Sequence, residues 1–267
     1  MPILIEKGEF EMKVYNVSAI IIVLLMLTVS MSAFAVVQEK NLVGWWLFDD
    51  GTDETGNWED ITLRGATIQD GKLVLERNKW ANSVKYTGPD ITDVTLASWV
   101  TLNDLGHTHG AALSLDRTDV DQFVAIVYAE RQPRQWMSGS SHFRRTEDFP
   151  NVVNEDKVGE NVLIAITYQL EGGVYTITGY RNDKSMGSFK KGDARTWTSE
   201  NAETIWGARH TGGVANPVSS SITADIEESR LYNVALSEDE VKQMYKGDLP
   251  VEARSKLATR WAKIKRQ

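Results

Sequence analysis

Residues 222–237 read ITADIEESRLYNVALS, and the fold of the chain turns on how they are understood. Strict alternation sets Ile222, Ala224, Ile226, Glu228 and Arg230 on one side of a strand, and Thr223, Asp225, Glu227, Ser229 and Leu231 on the other. Carboxylates then fall on both faces, which is unusual for a strand. Just downstream, Ser237 with Glu240 three residues on carries the capping-box signature, and Val241, Met244 and Tyr245 follow at helical spacing as far as Gly247. The stretch predicts an acidic strand that passes through a Leu-Tyr-Asn turn into a short capped helix.

Upstream, strand signals recur at short spacing. Leu42 to Phe48 is apolar almost throughout, and adjacent Trp45 and Trp46 predict burial on both faces. Asp49 to Trp58 is a polar loop rich in turn formers. Leu73 to Leu75, Ser83 to Tyr86, Thr95 to Leu102, Ala111 to Leu115 and Phe123 to Tyr128 follow, separated by Gly, Asp, Asn and Pro clusters. Val162, Ile164, Ile166, Tyr168 and Leu170 alternate with Leu163, Ala165, Thr167 and Gln169. Gly172-Gly173 then turns the chain into Val174 to Tyr180, and Asn182-Asp183 turns it again. Many short strands with Gly-rich turns and one late helix predict an all-β, two-sheet antiparallel sandwich.

Ile226, Glu228, Arg230, Tyr232, Asn233, Ala235, Leu236 and Ser237 stand in the order of the closing motif of LamG-like domains, which the chain therefore resembles. Glu227 replaces the Asp usual there, and Ser229 an aliphatic residue. Trp45 to Phe48 with Asp49-Asp50-Gly51 is similar to the family's opening motif, and Asp53 to Asn57 to its Asp-Ser-Ser-Gly-Asn loop. Val94 to Val100 resembles its strand ending in Ala-Trp-Val, and Ala165 to Gly187 its hairpin. Tyr128 to Thr146 is similar to LamG segments of large secreted bacterial proteins. The resemblance spans residues 41–247 and implies a concanavalin A-like jelly roll. It also implies a structural calcium held between the early acidic loop and the late strand, with Asp53, Asn57 and Glu227 as ligands by position. Calcium takes six to eight oxygen ligands in irregular geometry, which suits an acidic loop facing a strand carboxylate. A solvated acidic turn is the alternative.

The two ends differ from the body. Lys13 precedes an apolar run from Ala19 to Val29, and Ala33-Phe34-Ala35 supplies small residues at alternate positions. Residues 1–35 are thus expected to be a signal peptide, the run being short of the roughly 20 residues a membrane span needs, and an uncleaved N-terminal anchor is the alternative. The expected location is secreted, cell-surface or periplasmic. The jelly roll is expected over 36–247. From 248 to 267, Leu257, Trp261 and Ile264 fall at i, i+4 and i+7 among six Lys and Arg, predicting a basic amphipathic helical tail. Its stripe either packs on the sandwich or docks on an acidic partner or membrane surface. The chain has no Cys, so no disulfide stabilises it, and its net charge of −8 argues against nucleic acid as a partner.

Two further groups of residues are candidate sites. Arg131, Arg134, Trp136, His142, Phe143, Arg144 and Arg145 lie within a short span. Aromatic faces stack on sugar rings and guanidiniums bind carboxylate or sulfate, so the span would suit an acidic or sulfated glycan. The ordinary alternative buries Trp136 and Phe143 and pairs the arginines with Glu130, Glu147 and Asp148. His107 and His109, with His210 on a later turn, lack the third ligand of a standard transition-metal set, and a loop surface explains them more simply. His210 joins the arginine span as a ligand-binding candidate.

The functional expectation is a non-catalytic extracellular module that binds glycan or a protein partner. A glycoside hydrolase is the competing class. Asp225 and Glu227 lie two apart on a strand, near the roughly 5 Å separation of a retaining pair. They do not complete the Glu-x-Asp-x-x-Glu array of laminarinase-type enzymes.

Overall fold

The computed structural model describes residues 41–106, 109–211 and 221–247. The leader expected over 1–35 and the tail over 248–267 lie outside the described residues. Fourteen strands are described: β1 Leu42–Trp46, β2 Thr62–Arg64, β3 Thr67–Gln69, β4 Lys72–Leu75, β5 Trp80–Ser83, β6 Val94–Leu102 and β7 Ala111–Arg117, then β8 Val124–Tyr128, β9 Trp136–Ser140, β10 Asn161–Glu171, β11 Val174–Arg181, β12 Lys184–Lys191, β13 Ala202–Gly207 and β14 Ala224–Tyr232. One sheet runs β12-β11-β10-β6-β14-β4-β3, with β1 also paired to β14; the other runs β2-β5-β13-β7-β8-β9. Every strand pair in both is antiparallel. The sandwich expected from the sequence is therefore present, as two sheets facing one core.

That core is aromatic at its centre. Trp46 meets Trp206 edge-on with ring centroids 4.9 Å apart, and Phe48 meets the same Trp206 at 5.8 Å. Trp206 Nε1 donates to Ser229 Oγ at 3.0 Å, so the indole spends its polar atom on the opposite sheet. Leu96, Val100, Ile164, Ile166, Ala224, Ile226 and Leu231 complete the layer from the first sheet.

The last strand holds the first sheet together, though not with the alternation expected of it. Its β6 edge pairs along most of its length, while the other edge is shared by β4 at Ala224–Ile226 and β1 at Ser229–Tyr232. Between those partners the register with β6 slips at Glu227. This bulge inserts one extra residue and reverses the facing of all that follows. Ser229 and Leu231 consequently point into the core, and Glu228 and Arg230 point out, against the simple period-two expectation. On the outer face the Arg230 guanidinium lies over the rings of Trp45 and Trp99, and Glu228 accepts from both Arg230 and Trp45.

The capped helix, α1 Glu238–Lys246, forms where expected. Ser237 accepts from the Glu240 backbone, the Glu240 carboxylate accepts from the Ser237 backbone, and Gly247 closes the helix at φ 74. Val241 and Met244 are buried against Leu163, Ala165, Tyr180 and Tyr232 on the outer face of the first sheet, whereas Tyr245 is exposed.

Other strand expectations shifted. The signal placed at Ser83 to Tyr86 belongs to β5 three residues earlier, and Tyr86 instead packs on Trp58 at 4.5 Å. Strands β2, β3, β9 and β13 lie outside the strand signals of the sequence, β2 and β3 being three residues each and β9 rich in small residues, whereas β12 follows the turn expected at Asn182-Asp183.

Candidate functional site

The early acidic loop is built around Asp53, which is buried. Its Oδ1 accepts from the backbone N–H of Trp45 (2.7 Å) and Thr55 (3.2 Å). Its Oδ2 accepts from the N–H of Asn57 (2.9 Å) and Trp58 (3.2 Å) and from the Thr55 hydroxyl (2.6 Å). Asn57 in turn donates its side-chain amide to the Val43 carbonyl. Five donors fill a carboxylate that offers about four lone-pair positions. Glu227 is engaged elsewhere, with Lys72 Nζ at 2.8 Å. In this arrangement Asp53 and Glu227 are both engaged by the chain itself, and a cation at Asp53 would have to displace its backbone donors. Among the described residues no group of three or more His, Asp or Glu could hold a metal.

The arginine-rich span is split by β9. Strands β8 and β9 pair from Val124↔Ser140 to Tyr128↔Trp136, so the hairpin turn carrying Arg131 and Arg134 lies at one end and His142, Arg144 and Arg145 at the other. At the turn, Arg131 pairs with Asp148 and Arg134 with Asp156, both at 2.9 Å and both open to water. Trp136 is 1 % exposed; its Nε1 donates to Glu155, whose carboxylate also takes a bidentate pair from Arg181. Its ring cannot stack on a sugar. Trp136 is therefore corrected from a ligand contact to a core residue, because the strand containing it turns it inward.

At the other end, three loops meet around a short turn, Ser141–Phe143. Ser140 Oγ accepts from the Arg145 backbone (2.8 Å), and Ser141 Oγ accepts from the Phe123 backbone (3.1 Å). These anchors hold His142 at φ 52 and Phe143 at φ 53, two successive non-glycine residues in the left-handed region. Such a conformation costs of order 1–3 kcal/mol per residue and persists only when its surroundings enforce it. It leaves Phe143 exposed (42 %) beside an exposed Arg144. Arg145 behind them is fully buried and reaches Asp193 at 3.1 Å and the Phe123 carbonyl at 3.3 Å. It too is corrected, from a direct ligand contact to a buried support.

His142 and His210 converge on Asp121, a residue the sequence did not single out. Nε2 of His142 is 3.6 Å from Oδ2, and Nδ1 of His210 is 3.7 Å from Oδ1. The His210 ring stacks on Phe123 with centroids 4.9 Å apart and planes 2° from parallel. Burial lowers the imidazole of His210 below its ordinary range; Asp121 opposes this, and Arg209 and His142 add to it. His109 stands apart, in a bridge with Ser221.

Two carboxylates outside the sequence candidates also come together. Glu203 on β13 and Asp116 on β7 are register partners, both buried, on the face of their sheet turned away from the core. Thr211 crosses them, its N–H donating to Asp116 at 2.7 Å and its hydroxyl to Glu203, while Asn82 donates to Glu203 at 2.6 Å. Burial raises the Glu203 carboxyl above its ordinary value, and the bonds from Thr211 and Asn82 only partly offset that. By contrast, Asp225 takes a bond from Asn103 at 2.8 Å, and Glu227 sits at the bulge.

Residues 78–242 match the laminin G-type family described as the concanavalin A-like lectin/glucanases superfamily. Among solved structures, Trypanosoma rangeli sialidase in complex with 2,3-difluorosialic acid is similar, with a TM-score of 0.52 and 14% identity, over 77% of this chain and 32% of that one. The botulinum neurotoxin serotype D/C binding domain is similar with a TM-score of 0.51 and 10% identity, over 78% of this chain and 52% of that one. The chain spans about a third of the sialidase and about half of the toxin domain. At these identities the likeness is one of fold. No curated protein matches the chain.

Proposed function

The chain belongs to the laminin G-type family of the concanavalin A-like lectin/glucanase superfamily, and from that footing we propose that it is a non-catalytic extracellular recognition module that binds glycan through the Ser141–Arg145 turn. The superfamily's scaffold carries binders and hydrolases alike, so the reading rests on the site. The observation that supports it is the exposed Phe143 ring, held beside exposed His142 and Arg144 by a strained and firmly anchored backbone. A rigid aromatic face stacks on a sugar ring with little ordering cost, and neighbouring polar groups fix its orientation. Glycan-array binding of the wild type and of Phe143→Ala tests this. Loss of the bound set in the variant is expected, and identical profiles would remove the turn from the account.

Glycoside hydrolysis is the second reading, favoured by one observation: Glu203, with its raised carboxyl, lies opposite Asp116. General acids need such a shift. Both acids are nevertheless covered and bonded to Thr211, which supports binding over catalysis. Release of reducing ends from polysaccharide, abolished by Glu203→Gln, would favour hydrolysis instead.

A further inference from the structure

Behind the displayed Phe143, three guanidiniums share one carboxylate. Asp193 lies 2.5 Å from Arg195, 3.1 Å from Arg145 and 3.7 Å from Arg144. Gly192 makes the approach possible: at φ 85, a Cβ there would come within 2.3 Å of the Arg145 side chain. Arg195 is tied in place by its Nη1 donating to the Ala194 carbonyl and by its backbone, which exchanges bonds with the Tyr175 hydroxyl. Glu147 is taken up by Lys191, which also donates to the Thr146 carbonyl, so that carboxylate does not relieve the imbalance.

The cluster is short of acceptors. The Nε atoms of Arg145 and Arg195 are both buried without a hydrogen-bond partner, and Arg145 itself is 0 % exposed. Buried donors left unpaired cost free energy, more so when charged. The Arg144 contact with Asp193 is too long for a hydrogen bond, and its side chain is 56 % exposed. Asp193 is 48 % exposed, so the cluster opens to water at Arg144, the residue that follows Phe143 in the chain. On a chain of net charge −8, this local surplus of positive charge is a selective feature.

We propose that Arg144 and Arg195, backed by buried Arg145, form a subsite for an anionic substituent, carboxylate or sulfate, of a sugar stacked on Phe143. The inference rests on glycan binding at this turn and names the class of glycan. Guanidiniums bind planar carboxylate and sulfate oxygens through paired N–H donors. Asp193 occupies part of the same donor set and sets a threshold that only a well-placed anion overcomes.

The test is calorimetric titration of the protein with three oligosaccharides of matched length: galacturonate, sulfated galactan and neutral galactan. Roughly tenfold tighter binding of an acidic ligand than of the neutral one is expected, weakening with added salt. Which acidic ligand binds distinguishes carboxylate from sulfate. Arg144→Ala, with its melting temperature unchanged, should abolish the preference, bringing the affinities for acidic and neutral ligands together. Asp193→Asn should tighten acidic binding about fivefold, the scale of a single exposed ion pair. Equal binding of acidic and neutral ligands by the wild type, or a preference that survives Arg144→Ala, overturns the subsite while leaving glycan recognition standing. Absence of binding to all three, with no change in any variant, overturns both.

Discussion

Nε1 of Trp45 donates to Oε1 of Glu228 at 2.6 Å, joining the first strand to the last across the outer face of the larger sheet. The same oxygen takes Arg230 Nε at 2.7 Å, and Arg230 is 5 % exposed between two indole rings. Removing the carboxylate would strand a buried guanidinium. Glu228→Ala is therefore expected to cost about 3–5 kcal/mol, and Trp45→Phe about 1.5–3 kcal/mol for one bond to a charged group. Urea unfolding of both variants checks the order; equal losses would mean that Arg230 finds another partner.

Asp53 holds four backbone N–H groups of its loop. Asp53→Ala leaves these donors to find water or stay unpaired, and the expected loss is about 3 kcal/mol or more. Because the carboxylate is already filled, added calcium and then chelator should leave the thermal midpoint of the wild type unchanged. A midpoint that rises with calcium would show that the loop opens to admit the ion.

Glu203 gives a pH signature. Its folded carboxyl is raised above the ordinary 4.5, so the native state binds the extra proton and gains stability below that value. The gain disappears as pH rises through the folded value. Glu203→Gln is thus expected to melt at or above the wild type near pH 7, with the difference reversed or lost near pH 4. A variant that melts lower at neutral pH would show that the charged form is the one the fold requires.

His210 acts in the opposite direction. Its folded imidazole lies below the ordinary 6.5, so the unfolded chain takes up the proton first. Its contribution is complete above that value and falls as pH drops through it towards the folded one. His210→Phe keeps a ring against Phe123 and removes the proton. Its melting temperature should change less than the wild type's between pH 7 and 5, as followed by circular dichroism.

The closing motif was legible because its chemistry is local: Ser237 and Glu240 specify a helix start whatever surrounds them, and both bonds of the box are made. The buried Trp45 and Trp46 were equally readable from their place in an apolar run. The bulge at Glu227 was not, since it arises where one edge of β14 passes from β4 to β1, a change of neighbours that no residue near 227 announces. The strand that carries Trp136 is hidden for a related reason. Ser138, Gly139 and Ser140 follow that residue, and small polar residues hide a strand whose burial comes from the layers around it. Of the proposed site, His142 and Arg144 could be chosen by residue type, but Asp121 and Asp193 could not. They come from other loops, and only the pairing of β8 with β9 and the course of the chain after β12 bring them near.

The bond between Trp45 and Glu228 spans 183 positions of chain. Contacts of that separation are reached late, because the entropy of closing so large a loop is lost before the contact returns anything. During synthesis, β1 must wait with its edge unpaired until β14 has emerged from the ribosome. A nascent chain stalled ahead of residue 224 should therefore expose that edge to chaperones and to self-association, and release of the final strand is the event that ends its vulnerability.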